Sequence, residues 1–118
     1  MIGRFMLVCL VAIAAASAHA DYRHVELPNG DVYEGEMEDG VRNGQGTYTW
    51  ADGNRYVGQY VKDQMQGKGI YYWPDGRTYE GTFETDLRQG VGALRWPNGD
   101  RYEGEFREDH ITGRGVFV

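Results

Sequence analysis

Residues 33–55 read YEGEMEDGVRNGQGTYTWADGNR, and residues 56–78 read YVGQYVKDQMQGKGIYYWPDGRT. The two stretches agree at a leading Tyr, three Gly, a second Tyr, a Trp and an Asp-Gly pair, all at identical spacing. The register continues to the end of the sequence. Tyr33, Tyr56, Tyr79 and Tyr102 stand 23 residues apart, and each is followed by x-Gly. A fixed period of about 20–50 residues describes stacked copies of one supersecondary unit, not a single globular core. Residues that recur in every unit read as architecture. Function is sought where the columns break.

Within a unit the apolar and polar residues alternate. Tyr33, Gly35 and Met37 alternate with Glu34, Glu36 and Glu38, and Gly46, Tyr48 and Trp50 alternate with Thr47 and Thr49. Period-2 alternation of this length predicts strands with one buried face. Asp52-Gly53, Asp75-Gly76 and Asn98-Gly99 predict tight hairpin turns. The other turn, Asp39 to Gly44 in the first unit, reads as longer and Gly-rich. Pro28-Asn29-Gly30 repeats the turn one period upstream, so a half-unit over 22–32 precedes units starting at 33, 56, 79 and 102. No stretch has a helical period. The prediction is an all-β fold: an elongated repeat array of antiparallel β-hairpins, about nine strands in one twisted sheet.

A lone hairpin is not stable in water, but stacked hairpins share a continuous apolar layer. With Tyr33 as position 1, Gly recurs at positions 3, 12 and 14. Those at 3 and 14 share the aromatic face and are expected to leave room for rings from adjacent strands. The aromatic face is the candidate binding groove. Its residues are Tyr33, Met37, Tyr48 and Trp50; Tyr56, Tyr60, Tyr71 and Trp73; Tyr79, Phe83, Leu94 and Trp96; and Tyr102 and Phe106.

The first twenty residues stand outside the repeat. Arg4, the apolar run from Phe5 to Ala16 and Ala18-His19-Ala20 have the layout of a secretory signal peptide. The run is short for a membrane span. The chain is therefore expected to be exported, periplasmic or secreted, with 21–118 as the mature domain. Cys9 is the only cysteine, so the mature domain holds itself by packing and pairing without disulfides. Removing Arg4 leaves 11 basic against 18 acidic residues, a net charge of −7. Binding nucleic acid needs a basic stripe to neutralise phosphates. None is present, and anionic headgroups are disfavoured by the same charge.

Catalytic chemistry finds little support. The mature domain has neither Ser nor Cys, and His24 and His110 lie near opposite ends of a linear array. Neither histidine has metal-ligand spacing. Glu34, Glu36, Glu80, Glu103 and Glu105 read as a solvated polar face, with a weak cation site as the alternative. No enzyme activity, cofactor or metal is expected.

The pattern Tyr-x-Gly followed by Gly-x-Gly-x-Tyr-x-x-x-Asp-Gly, seen in residues 33–53, resembles the MORN (membrane occupation and recognition nexus) repeat. The resemblance spans 28–118. It implies an elongated, twisted hairpin array with a groove along one side, acting as an interaction scaffold. It also implies that enzymatic activity, in relatives that have it, sits in an attached domain. Met37, Ala51 and Leu94 depart from the pattern.

Two departures point to function. Val57, Val61, Ile70 and Tyr72 form a less charged island on the outer face of the second unit; such a patch can mark a contact site. Val116-Phe117-Val118 is apolar and predicted to form an unguarded edge, which invites pairing with another chain. The leading expectation is a non-catalytic module that binds a protein partner along the aromatic groove, with a homodimer through the C-terminal edge strand. The alternative is a glycan or cell-envelope binder using Trp50, Trp73 and Trp96 as stacking platforms. A membrane-associated adaptor is less favoured.

Overall fold

The computed structural model describes residues 21–118. The signal-peptide reading, Cys9 included, falls outside the described residues. Nine strands follow one another: β1 (Asp21–Glu26), β2 (Val32–Glu38), β3 (Val41–Thr49), β4 (Arg55–Val61), β5 (Gln64–Tyr72), β6 (Thr78–Glu84), β7 (Leu87–Arg95), β8 (Arg101–Arg107) and β9 (His110–Phe117). They form one antiparallel sheet in sequence order. The nine-stranded meander is the one the 23-residue period predicts. β1 is the half-unit, and each later pair is one hairpin.

The turns correct the sequence reading. The Asp-Gly segments are not the tight ones: Trp50 to Asn54 separates β3 from β4, closed by Trp50 N–H to Asn54 O (2.9 Å) and Gly53 N–H to Trp50 O (3.0 Å). The segment expected to be long closes in two residues, such as Asp39-Gly40 and Lys62-Asp63. Both residues of that turn have positive φ: 48° and 73° at Lys62 and Asp63, 52° and 69° at Thr85 and Asp86. The hand of such turns matches the twist of the flanking strands. In the last three units residues other than glycine carry it, and in the first Asp39 shares it with Gly40.

The extra length seen in the sequence is a bulge. Between the pairs Gly58–Gly69 and Tyr60–Met65, Gln59 alone faces Gln66, Gly67 and Lys68. Gly67, at φ 82°, turns the backbone there. The same irregularity recurs in every hairpin.

The register also explains the glycines. Gly35, Gly46, Gly58, Gly69, Gly81, Gly92, Gly104 and Gly115 are cross-strand neighbours in one row from β2 to β9. The position-1 tyrosines lie along this row. A Cβ on Gly58 would come within 2.5 Å of the Tyr56 hydroxyl, and one on Gly69 within 2.5 Å of the Tyr56 ring. The ring over Gly58 thus comes from its own strand, and the one over Gly69 from the neighbouring strand. Each tyrosine then donates its hydroxyl to the carbonyl of the residue at the bulge: Tyr33 to Glu36 (2.6 Å), Tyr56 to Gln59 (2.8 Å), Tyr79 to Thr82 (2.8 Å) and Tyr102 to Glu105 (3.1 Å). A buried hydroxyl and a carbonyl freed from the ladder satisfy one another.

Candidate functional site

The aromatic face separates into a sealed layer and an open row. Tyr33, Tyr56, Tyr79 and Tyr102 are buried, and so are Tyr60, Phe83 and Phe106 at position 5. Their rings meet edge to face: Tyr56 contacts Tyr60 at 5.3 Å and Phe83 at 5.1 Å, and Tyr79 contacts Phe83 at 5.2 Å and Phe106 at 4.9 Å. This is the favoured geometry for aromatic quadrupoles. Tyr48 and Leu94 are buried as well. These nine members of the predicted groove are core, and of them only Phe83, Tyr33 and Tyr48 reach the wall of a hollow on this face.

The half-buried members are Met37, Trp50, Tyr71, Trp73 and Trp96. Tyr48, Trp50, Tyr71 and Trp73 form a ladder with ring centroids 4.6, 5.5 and 4.7 Å apart. Leu94 ends the ladder, and Trp96 stacks instead on Phe117 at 6.4 Å. Burial pushes the Tyr48 hydroxyl up to about 12, helped by its bond to the Asp31 carboxylate at 2.7 Å.

Opposite the tryptophans runs a ladder of turns that sequence reasoning missed. Each turn is bonded to the one before it. Position 11 accepts from the next unit's position-7 N–H: Asn43 from Lys62 (2.9 Å), Gln66 from Thr85 (3.1 Å) and Gln89 from Glu108 (2.7 Å). Position 8 caps the previous unit's position-10 N–H: Asp63 caps Arg42 (3.1 Å), Asp86 caps Met65 (2.8 Å) and Asp109 caps Arg88 (3.2 Å). Where position 10 is arginine, its guanidinium closes a fork on the same aspartate, with Nε to Oδ1 at 2.6 Å for Arg42–Asp63 and 2.7 Å for Arg88–Asp109. Both guanidinium groups also lie over rings, Arg42 over Tyr60 (4.8 Å) and Tyr48 (5.0 Å), Arg88 over Phe106 (5.3 Å) and Trp73 (5.4 Å). Hydrogen bonding from Arg42 holds the Asp63 carboxyl below its usual range. At Asp109 burial pulls upward, but the bonds from Arg88 outweigh it and the net shift is down. The one available signal was the position-10 column itself, which reads Arg42, Met65, Arg88, Ile111.

Between the two ladders the face is concave. One hollow of about 170 Å³ is lined by Trp50, Met65, Tyr71, Trp73, Phe83, Asp86, Arg88 and Asp109. A second, about 280 Å³, lies around Val25, Leu27, Met37 and Arg42. On the outer face, Val57 pairs with Ile70. Together with Val91, Lys68 and Thr82 they line a shallow depression of about 600 Å³. Val57, Ile70 and Tyr72 are half-buried rather than prominent, and Val61 is exposed. Tyr72 is covered by the Arg55 guanidinium 4.2 Å from its ring centre. Val91, 68 % exposed, is the apolar residue the sequence reading left out.

At the sheet edges, every residue of β9 is exposed, and Val116, Phe117 and Val118 are each more than 60 % accessible. His24 on β1 sits between Glu26 (3.0 Å) and Glu34 (2.9 Å), whose hydrogen bonds raise its pKa. Among the described residues no three His, Asp or Glu side chains converge in a metal-binding arrangement. No helix among them is long and apolar enough to cross a membrane.

The protein-family model of the MORN repeat matches four times, over residues 33–55, 56–76, 79–101 and 102–118. The chain belongs to the MORN repeat family. MORN repeats are non-enzymatic scaffold modules that bind proteins or membranes. The matched starts at 33, 56, 79 and 102 coincide with the tyrosines that sit over the glycine row. No curated protein matches the chain.

Proposed function

We propose that this MORN array is an exported, non-catalytic module that grips a segment of a partner protein along the hollow between its tryptophan row and its turn ladder. The observation that carries this reading is the half-buried Trp50–Tyr71–Trp73 ladder beside that hollow. Half-buried aromatic rings offer large apolar area at little conformational cost, which suits polypeptide recognition. Trp50 and Trp73 make tilted contacts with neighbouring tyrosines, which favours a continuous polypeptide-binding strip over separate sugar platforms. Export rests on the leader-like residues 1–20. A second copy is proposed to pair through the exposed β9 edge.

Selection of a random peptide library against the chain tests the binding face. Peptides selected on the wild type are expected to lose at least tenfold in affinity for a Trp73→Ala variant whose circular dichroism is unchanged. Unchanged affinity there, with loss in a Val57→Asp/Ile70→Asp variant, would move the site to the outer face. Light scattering across concentrations reads the dimer, and a strictly monomeric species at high concentration rejects it. N-terminal sequencing of exported protein should begin at Asp21.

A further inference from the structure

The three inter-unit turn contacts are built alike, and one of them lacks a part. Asp63, Asp86 and Asp109 each cap the backbone N–H of position 10 in the preceding unit, so their carboxylates are held in the same place. In two of the three, a guanidinium lies between that carboxylate and a set of rings: Arg42 with Asp63, Arg88 with Asp109. In the middle contact position 10 is Met65. Methionine reproduces the arginine side chain as far as the Nε position, where its methyl ends, and lacks the Cζ and two Nη atoms beyond it. Met65 is buried, as a stem should be. The rings remain. Arg42 lies over Tyr48 and Tyr60, whose equivalents one unit on are Tyr71 and Phe83. Arg88 lies over Trp73 and Phe106, whose equivalents one unit back are Trp50 and Phe83. Trp50, Tyr71 and Phe83 line the 170 Å³ hollow, together with Met65 and Asp86. Among the described residues no Lys, Arg or His forms an ion pair with Asp86.

We infer that the hollow at Met65 and Asp86 receives a guanidinium group from an arginine of the partner segment, seated as Arg42 and Arg88 seat their own. Asp86 supplies the carboxylate, and Trp50, Tyr71 and Phe83 supply the ring faces. Guanidinium is favoured over ammonium because it stacks on aromatic faces and forks onto a carboxylate. Arg88 on the far wall does not repel it strongly, since Asp109 already neutralises that charge at 2.7 Å. The inference rests on the aromatic face being the protein-binding face, and it names what the partner inserts there.

The test uses N-acetyl-arginine amide, with N-acetyl-citrulline amide as the uncharged isostere, followed by nuclear magnetic resonance of the tryptophan indole and Met65 methyl groups. Arginine amide is expected to shift the Trp50, Trp73 and Met65 signals saturably, and citrulline amide is not. A concentration of about 100 mM reaches even a site worth roughly 1.4 kcal/mol. Asp86→Asn should weaken binding at least tenfold. Met65→Arg should fill the hollow from within, abolish the shifts and raise the melting temperature. Absence of saturable shifts, equal shifts with citrulline amide, or retained binding in either variant overturns the inference. Arginine-free peptides that bind the wild type through Trp73 would leave the wider reading of the face standing while this one falls.

Discussion

Arg88 closes a fork on Asp109: its Nε donates to Oδ1 at 2.7 Å, and its Nη2 donates to the Asp109 carbonyl at 2.6 Å. Only 16 % of the Arg88 side chain is exposed. The same aspartate accepts from the Arg88 N–H, so one residue secures three donors across a unit boundary. Asp109→Ala leaves a mostly buried guanidinium without its carboxylate, with only the bond to the backbone carbonyl remaining, and is expected to cost about 1–3 kcal/mol. Asp86→Ala loses only a backbone cap and should cost about 0.5–1.5 kcal/mol. Urea unfolding of the two variants measures the difference, and equal losses would reject a stabilising role for the fork.

The forks also fix a pH dependence. Asp63 and Asp109 are held below the ordinary value of 3.8 in the folded protein. A depressed carboxyl contributes stability that is present above its unfolded pKa and lost as pH falls through its folded pKa. Wild-type stability should therefore decline below about pH 4. The double variant Asp63→Asn/Asp109→Asn should decline less over the same window in acid-titrated urea melts.

At the alkaline end the sign reverses. Burial pushes the Tyr33, Tyr48 and Tyr79 hydroxyls up to about 12, against 10.0 for the unfolded side chain. Their protonated forms stabilise the fold fully below pH 10, and that contribution is lost as pH rises toward 12. Tyrosinate absorbance and loss of the β-sheet circular dichroism should therefore rise together in one cooperative step between those values. Ionisation of these tyrosines ahead of unfolding would contradict their burial.

Tyr60 is the only position-5 residue with a hydroxyl, and that oxygen is buried without a hydrogen-bond partner. Its equivalents are Met37, Phe83 and Phe106. Tyr60→Phe removes an unsatisfied polar group and is expected to stabilise by about 1 kcal/mol. Tyr56→Phe, by contrast, deletes the bond to the Gln59 carbonyl and should destabilise by about 1 kcal/mol or more. Opposite shifts of the urea midpoint are the expected result.

The glycine row separates close packing from backbone need. Gly69→Ala drives a methyl group into the Tyr56 ring and is expected to cost about 2–3 kcal/mol and alter the near-ultraviolet circular dichroism. Gly99→Ala meets nothing within 4 Å, but its φ of 98° is left-handed, so about 1–2 kcal/mol is expected with an unchanged aromatic spectrum. Identical spectra for both would show that the tyrosine ring moves aside freely.

The parts legible in the sequence are those that repeat exactly. Tyr at position 1 and Gly at 3 and 14 recur because one ring must cover two glycines in every hairpin, so strand number and strand order followed from the period. Turn length did not follow. Asp-Gly signals a positive φ without saying how many residues share the turn, and Lys62, Thr85 and Glu108 adopt positive φ with no glycine to announce it. The inter-unit forks were hidden for another reason. Arg42 and Asp63 stand 21 residues apart, two short of the repeat, so aligning like with like never sets them side by side.

The turn ladder gives the array a direction. Lys62, Thr85 and Glu108 hold an uncommon backbone conformation, and each is secured by an amide side chain of the unit before it, never the unit after. The first hairpin has no earlier turn of this kind among the described residues, and there Asp39, the equivalent of Lys62, holds φ 53° beside Gly40 at φ 82°. Amide support of the turns therefore passes from the N-terminal side to the C-terminal side, and aspartate capping passes back. Removing a hairpin from the front strips its neighbour's turn of an amide anchor, whereas removing one from the back strips the unit before it of the aspartate that caps its position-10 N–H. Structurally uniform repeats are, in this respect, unequal: each holds its successor's turn with an amide and its predecessor's strand with an aspartate.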